Sequence, residues 1–405
     1  MLPGVTTRAR RWRRSAVTGL VAGLLIATAG TAVAAPPVAA QPGGCPGQAV
    51  PPGPPAEEET TGAAPDPLPV PDPPVGALDV CTEEHVGAVP PPPVGAASYV
   101  VADLDSGAVL AARTPHARQR PASTVKLLLA LVVDDELAPD RVVTGTVEDA
   151  NIEGSRAGLG PGRRYTVDQL LHGLLLASGN DAANALAREL GGLPPTLAAM
   201  QRTAAALGAR DTRPATPAGL DGPGMASSAY DLALFLQAAL QRPRIAAAMR
   251  TPSVTFPGFG DRPPFELGND DRLVGTPGFL GGKNGFTDAA RHTFVGAAER
   301  GGRRLVVALV RGEQRPVRMV DQASALLDWG AGAPDDRLGT LVDPVRDAPA
   351  PTPAAPAPAP VPPPPAAPAP AGPGPVTLVA GGAAALVGMA ALVLVPLRQR
   401  RRDRG

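Results

Sequence analysis

Of the 37 lysine and arginine residues in this 405-residue chain, only Lys126 and Lys283 are lysine. Arginine keeps its charge at any pH a protein meets, whereas a desolvated lysine can lose its proton and act as a base. So strong a bias marks the two lysines as positions where a guanidinium would fail, and each lies in a short motif with chemistry of its own. In Pro121-Ala-Ser123-Thr-Val-Lys126, serine and lysine stand three apart at the head of the apolar run 127–133. On a helix that spacing puts them on one face, and a helix start offers free N–H groups to developing negative charge. A hydroxyl beside an amine in apolar surroundings is an activated nucleophile. Taken alone, the same residues also read as an N-cap serine and a snorkelling surface lysine.

Two further motifs raise similar choices. Leu176-Ala-Ser178-Gly179-Asn180-Asp181 is a tight connection between two helical runs. A hydroxyl and an amide two residues apart can relay a proton and hydrogen-bond a peptide; equally, Gly179 can end one helix and Asp181 cap the next. In Gly281-Gly282-Lys283-Asn284-Gly285-Phe286-Thr287, glycines in a strand-like run allow another backbone to approach closely. A peptide lying antiparallel along that edge would meet Lys283 as a cation for its terminal carboxylate. A glycine-rich hairpin with an exposed lysine is the alternative.

The elements that must carry these motifs are legible in outline. Residues 98–105 and 108–113 flank Ser106-Gly107 as a hairpin. A helical region from about Ser123 to about Arg250 follows, dense in Ala and Leu, with helices predicted over 167–177, 181–190 and 229–240. Ser228 and Asp231 form a capping-box pattern before the third. Strand-like runs return at 293–298 and 305–310, and a last amphipathic helix spans about 316–329. Strands split by a helical insertion predict an α+β layered domain with a helical lobe and a cleft between lobe and sheet.

Around that domain, composition draws the boundaries. The 52 prolines cluster before about residue 95 and after about residue 345, leaving one stretch long enough for a sizeable core. Arg8, Arg10, Arg11, Arg13 and Arg14 precede a small and apolar run, with Ala32-Val33-Ala34 or Val38-Ala39-Ala40 as cleavage sites, so residues 1–40 read as an export signal. Residues 41–93 read as an extended linker, its acidic run Glu57-Glu58-Glu59 solvated. Cys45 and Cys81 within it are expected to form one disulfide in an oxidising exterior. The folded domain is placed at 94–335 and an Ala/Pro-rich stalk at 336–375. The uncharged run 376–397 is long enough to cross a membrane as one helix. The basic tail 398–405 sets that end in the cytoplasm and the domain on the outer side. Net charge is zero, which gives no reason to expect nucleic acid. His85, His116, His172 and His292 are scattered, and no metal or cofactor is expected.

Order and spacing turn three weak motifs into one pattern. Ser-x-x-Lys, Ser-x-Asn and Lys-x-Gly occur in that sequence, with the helical block between first and last. This resembles the DD-peptidase and serine β-lactamase superfamily, and more closely the low-molecular-mass penicillin-binding proteins that are D-Ala-D-Ala carboxypeptidases. Supporting segments include Ala102-Asp-Leu-Asp-Ser-Gly-Ala-Val-Leu110, Pro217-Ala-Gly-Leu-Asp221 and Ser227-Ser-Ala-Tyr-Asp-Leu-Ala233. The resemblance covers about residues 94–330. It implies an antiparallel sheet flanked by helices with an inserted all-helical lobe. It also implies Ser123 as acylated nucleophile, Lys126 as base and Ser178 as proton relay. Asn180, Lys283, Asn284, Gly285 and Phe286 would bind substrate, and the amides of Ser123 and Phe286 would form an oxyanion hole. The implied partners are peptidoglycan stem peptides ending in D-Ala-D-Ala and β-lactams as inhibitors. Two departures stand out: Asn284 occupies a position usually Thr or Ser, and Arg291 one usually glycine. A cross-link endopeptidase, a β-lactamase and a non-catalytic wall-binding protein remain as alternatives, although no Glu-x-x-Leu-Asn segment for a deacylating water occurs in the helical block.

Overall fold

The computed structural model describes residues 44–342, except Ala63. The export signal, most of the stalk, the apolar run 376–397 and the basic tail lie outside the described residues. Among the described residues no helix is long and apolar enough to cross a membrane.

Proline fixes φ and lacks an N–H, so residues 44–94 form little regular structure. There is one short helix, α1 (Glu57–Thr60), a 3-10 turn at Val75–Ala77 and one short strand, β1 (Glu83–His85). This segment is nevertheless no free linker. Cys45 and Cys81 are paired, with Cα atoms 4.9 Å apart, and the segment they close lies against the domain as a strap. The guanidinium of Arg118, only 1% exposed, donates to the carbonyls of Ala49, Leu68 and Pro69. Extended proline-rich backbone has no internal hydrogen bonds, so its carbonyls are open to such donors.

The expected hairpin follows as β2 (Ser98–Asp103) and β3 (Ala108–Arg113). The Asp103 carboxylate accepts from the amides of Asp105 and Ser106, tying the turn, and β1 lies antiparallel along β3. The chain then enters α2 (Lys126–Glu136), in which every side chain from Leu127 to Val133 is at most 2% exposed. A helix that is apolar all round has no solvent face, so α2 becomes the axis of the lobe. Each such large side chain stabilises the fold by about 1.5–3 kcal/mol on burial.

A small hairpin of β4 (Val142–Thr144) and β5 (Arg164–Thr166) brackets α3 (Val147–Asn151). The lobe is completed by α4 (Val167–Leu176), α5 (Asn180–Glu189), α6 (Leu193–Ala206), α7 (Ala229–Leu240) and α8 (Pro243–Arg250). The three helices expected in this block match α4, α5 and α7 to within a residue. Caps set their starts. Thr166 and Gln169 exchange side chain-to-backbone bonds before α4, a full capping box. Before α7 only half of the expected box forms: Ser228 accepts the Asp231 amide, while the Asp231 carboxylate turns to the Asp211 amide and the Thr212 hydroxyl.

After a second small hairpin, β6 (Ser253–Phe256) with β7 (Phe265–Gly268), three long strands finish the main sheet. They are β8 (Phe279–Thr287), β9 (Arg291–Arg300) and β10 (Arg303–Gly312), and the order is β1-β3-β2-β10-β9-β8, antiparallel throughout. Val306, Ala308 and Val310 of β10 join the core shared with the lobe. Leu305, Val307 and Leu309 pack on the other side with Met319, Ala323, Leu326 and Leu327 of α9 (Met319–Ala331). With both faces covered, β10 reads as an unbroken apolar run instead of an alternating one. The fold is therefore the expected α+β sandwich of lobe, sheet and helix. Its last strand, β11 (Gly339–Thr340), pairs with β3, so the folded domain continues past the 335 boundary read from composition.

Candidate active site

Ser123 stands in a 3-10 turn, Ala122–Val125, that leads into α2, not in the α-helix itself as its spacing suggested. Three residues per turn stack positions i and i+3, and Lys126 Nζ lies 2.8 Å from Ser123 Oγ. The same nitrogen donates to Asn180 Oδ1 at 2.8 Å and to the Ala218 carbonyl at 2.7 Å. Lys126 is fully buried. Burial above all, and then the charge of Lys283, push its amine well below the usual lysine value, against a weaker opposing pull from Asp181. A neutral amine has two protons and one lone pair. With the protons on Asn180 and Ala218, the lone pair is left facing the Ser123 hydroxyl.

Ser178 lies between α4 and α5, 6% exposed and at φ +55°, a conformation that costs a non-glycine residue energy and gathers at functional sites. Asn180 opens α5 and donates through Nδ2 to the Glu153 carbonyl at 2.6 Å. Asp181 Oδ1 accepts the Ala182 amide in the first turn of α5 at 2.9 Å. Its carboxylate accepts the amides of Ala157, Gly158 and Leu159, which pins the loop between α3 and β5 beside the site.

The third motif forms β8, the terminal strand of the sheet. Gly285 is required there: a Cβ at this position would come within 2.7 Å of the Ser123 amide nitrogen and 2.6 Å of Thr293 Oγ1. Lys283 is not the exposed lysine of the alternative hairpin reading. It is 1% exposed, and its Nζ donates to the Asn284 carbonyl and to Asn284 Oδ1, each at 2.9 Å. Burial lowers its amine to about 8, opposed by the nearby Asp270 and Asp271 carboxylates. Since Oδ1 of Asn284 is held by the lysine, its Nδ2 is left as a donor.

These pieces meet in a cleft of about 570 Å³. Ser123, Ser178, Asn180, Asn284, Gly285 and Phe286 line it, while both lysines are buried behind its wall. Asp270, His292 and Gln314 also line the cleft, and sequence reading passed over them. His292 pairs with Phe286 across the β8–β9 ladder; their rings lie 4.5 Å apart, and Gln314 Nε2 sits 3.2 Å from His292 Nδ1. The β8–β9 register, which only the folded sheet sets, is what brings His292 to the cleft. Arg291, at φ +57°, shows why glycine suits its position. It is held by a two-pronged contact to Glu313 at 2.8 and 3.0 Å, with its guanidinium 5.7 Å over the Phe286 ring. A second cavity of about 500 Å³ adjoins at Asn284 and carries Arg272, Arg315 and Arg318.

A lobe-and-sheet α+β domain in which a Ser-x-x-Lys turn, a Ser-x-Asn loop and a Lys-x-Gly strand edge share one cleft defines the class of serine DD-peptidases. The chain belongs to the D-alanyl-D-alanine carboxypeptidase family, whose profile matches residues 85–314. It is 49% identical over 264 residues to D-alanyl-D-alanine carboxypeptidase DacB2 of Mycobacterium tuberculosis, a match covering 64% of this chain and 90% of that one. DacD of Salmonella typhimurium, another D-alanyl-D-alanine carboxypeptidase, is 34% identical over 250 residues, 58% of this chain and 62% of that one. A crystal structure of a D-alanyl-D-alanine carboxypeptidase from M. tuberculosis H37Rv has a TM-score of 0.61 at 48% identity, covering 64% of this chain and 99% of the other. A mutant form of Streptomyces K15 DD-transpeptidase scores 0.56 at 25% identity, covering 59% and 98%. The chain is thus a serine-type carboxypeptidase of the cell wall, as its motifs implied.

Proposed function

We propose that this chain removes the terminal D-Ala from peptidoglycan stem peptides through an acyl-enzyme on Ser123. The observation that carries this is the buried Lys126 amine, 2.8 Å from Ser123 Oγ with its other two contacts already fixed. Ser123 Oγ attacks the carbonyl of the penultimate D-Ala, and its proton passes to Lys126. The amides of Ser123 and Phe286 take the oxyanion. As the C–N bond breaks, Ser178 passes the proton on to the leaving amine. Asn180 orients the peptide along β8, and Asn284 Nδ2, backed by the Lys283 charge, receives the terminal carboxylate. Water then attacks the ester, Lys126 takes its proton and returns it to Ser123 Oγ as the ester bond breaks, and the shortened peptide leaves as the carboxylic acid. A β-lactam follows the same first step, but ring opening keeps its leaving nitrogen tethered.

The domain is set outside the cell and tethered. Supporting this are the basic and apolar leader 1–40, the uncharged run 376–397 and the arginines behind it. The Ala/Pro segment 346–375 would act as a spacer, reaching roughly 90 Å if fully extended as polyproline II. Incubating the full chain with benzylpenicillin and weighing it intact, beside Ser123→Ala, tests the nucleophile. One bound penicillin in the wild type and none in the variant is expected. An adduct that persists in folded Ser123→Ala protein overturns the assignment.

A further inference from the structure

Glu59 belongs to the acidic run that composition reads as solvated linker, and its neighbours Glu57 and Glu58 are indeed exposed. Glu59 is not: its side chain is 14% exposed. One carboxylate oxygen accepts the Gly224 amide at 2.7 Å. The other accepts Arg120 Nη2 at 2.9 Å and the Ala56 amide at 2.7 Å. Arg120 is itself 4% exposed, and its Nη1 has only weaker partners, the Gly222 carbonyl at 3.4 Å and the Asp221 carboxylate at 3.9 Å.

Both segments gripped by this carboxylate lead to the catalytic pair. Three residues beyond Arg120 stands Ser123, reached through Ala122 at φ +48°. The loop ending at Gly224 includes Ala218, whose carbonyl accepts from Lys126 Nζ. It also includes Gly219, where a Cβ would collide with the Ala122 carbonyl oxygen. Asp221 in that loop accepts the Thr287 hydroxyl of β8 at 3.2 Å. Removing Glu59 leaves a buried guanidinium short of a partner, with Asp221 the nearest carboxylate to draw away from β8.

We propose that Glu59 is a positioning residue, holding Ser123 and Lys126 in register through Arg120 and Gly224. The strap is then part of the catalytic unit, although most of it precedes the segment 85–314 that the family profile matches. This rests on Ser123 being the nucleophile. Displacing a reacting group by about 1 Å can cost a hundredfold in rate, so the effect belongs in the chemical step.

The test uses the full chain as wild type, Glu59→Gln, Arg120→Lys and, as a control on the β1 contact just after the strap, Glu83→Gln. The last loses the ion pair with Arg113 where β1 meets β3. Stopped-flow measurement with benzylpenicillin separates the binding constant from the acylation rate constant, and thermal melts run alongside. Glu59→Gln and Arg120→Lys are expected to slow acylation by roughly ten- to a hundredfold while binding shifts less than about twofold. Glu83→Gln should lower Tm and acylate at the wild-type rate. Wild-type acylation rates in Arg120→Lys, and in Glu59→Gln where it folds, reduce Glu59 to a fastener and overturn the proposal. A wild type that never acylates sinks the Ser123 reading, and this one with it.

Discussion

Lys126 and Lys283 are both depressed by burial, but for different work. In the proposed mechanism Lys126 must be neutral to accept the serine proton, whereas Lys283 must be charged to support a carboxylate. Carboxypeptidase activity should therefore rise with pH as Lys126 loses its proton and fall again near pH 8, where Lys283 titrates. Lys283→Arg cannot lose its charge, so a kcat/KM profile on a peptide ending in D-Ala-D-Ala should lose the alkaline limb. A limb that stays near 8 in the variant would assign it elsewhere. The same shifts act on stability. In the window between about 8 and the usual 10.5, the unfolded chain binds more protons at Lys283 than the folded one, so this residue makes stability rise with pH there. Its contribution is complete above 10.5 and is lost as pH falls through 8.

At the scale of elements, the decisive contact is between β8 and the 3-10 turn. The strand reaches the Ser123 amide because Gly285 has no side chain. Gly285→Ala should push the two apart, since overpacking a close contact costs about 1–3 kcal/mol. Acylation by benzylpenicillin is expected to slow by at least about tenfold, the loss of one oxyanion donor being worth a hundredfold or more. The far-UV spectrum should stay that of the wild type. An unchanged acylation rate would mean that β8 does not supply the oxyanion hole. The hairpin beyond it shows a second device: Arg291 holds a left-handed turn without glycine, its guanidinium fastened to Glu313 and stacked on Phe286.

For the whole molecule, the proposed role of Glu59 makes the strap part of the enzyme. The disulfide links residues 36 apart and encloses Glu59 together with the carbonyls that accept from the Nη atoms of Arg118. Replacing both cysteines by serine releases that loop in the unfolded state, a loss of about 2–4 kcal/mol. Tm should drop by several degrees in a calorimetric scan at neutral pH. A drop no larger than that of a surface substitution would mean that the buried arginines alone hold the strap.

Some of this was decided by local sequence and some was not. The hairpin at Ser106-Gly107, α4, α5 and α7 follow from turn chemistry, caps and periodic apolar residues, all of them short-range. The proposed catalytic residues stood out because two lysines in an arginine-rich chain fall inside ordered motifs whose spacing survives in one dimension. Glu59 and His292 were not legible. A glutamate in a proline-rich acidic run and an isolated histidine carry no local signal, and their roles come from neighbours far along the chain, Gly224 and Arg120 for one and Phe286 and Gln314 for the other. Proline-rich composition reports the absence of regular hydrogen bonding, not the absence of packing. Whether such a segment floats or docks depends on buried donors such as Arg118, which only the folded domain brings to meet it.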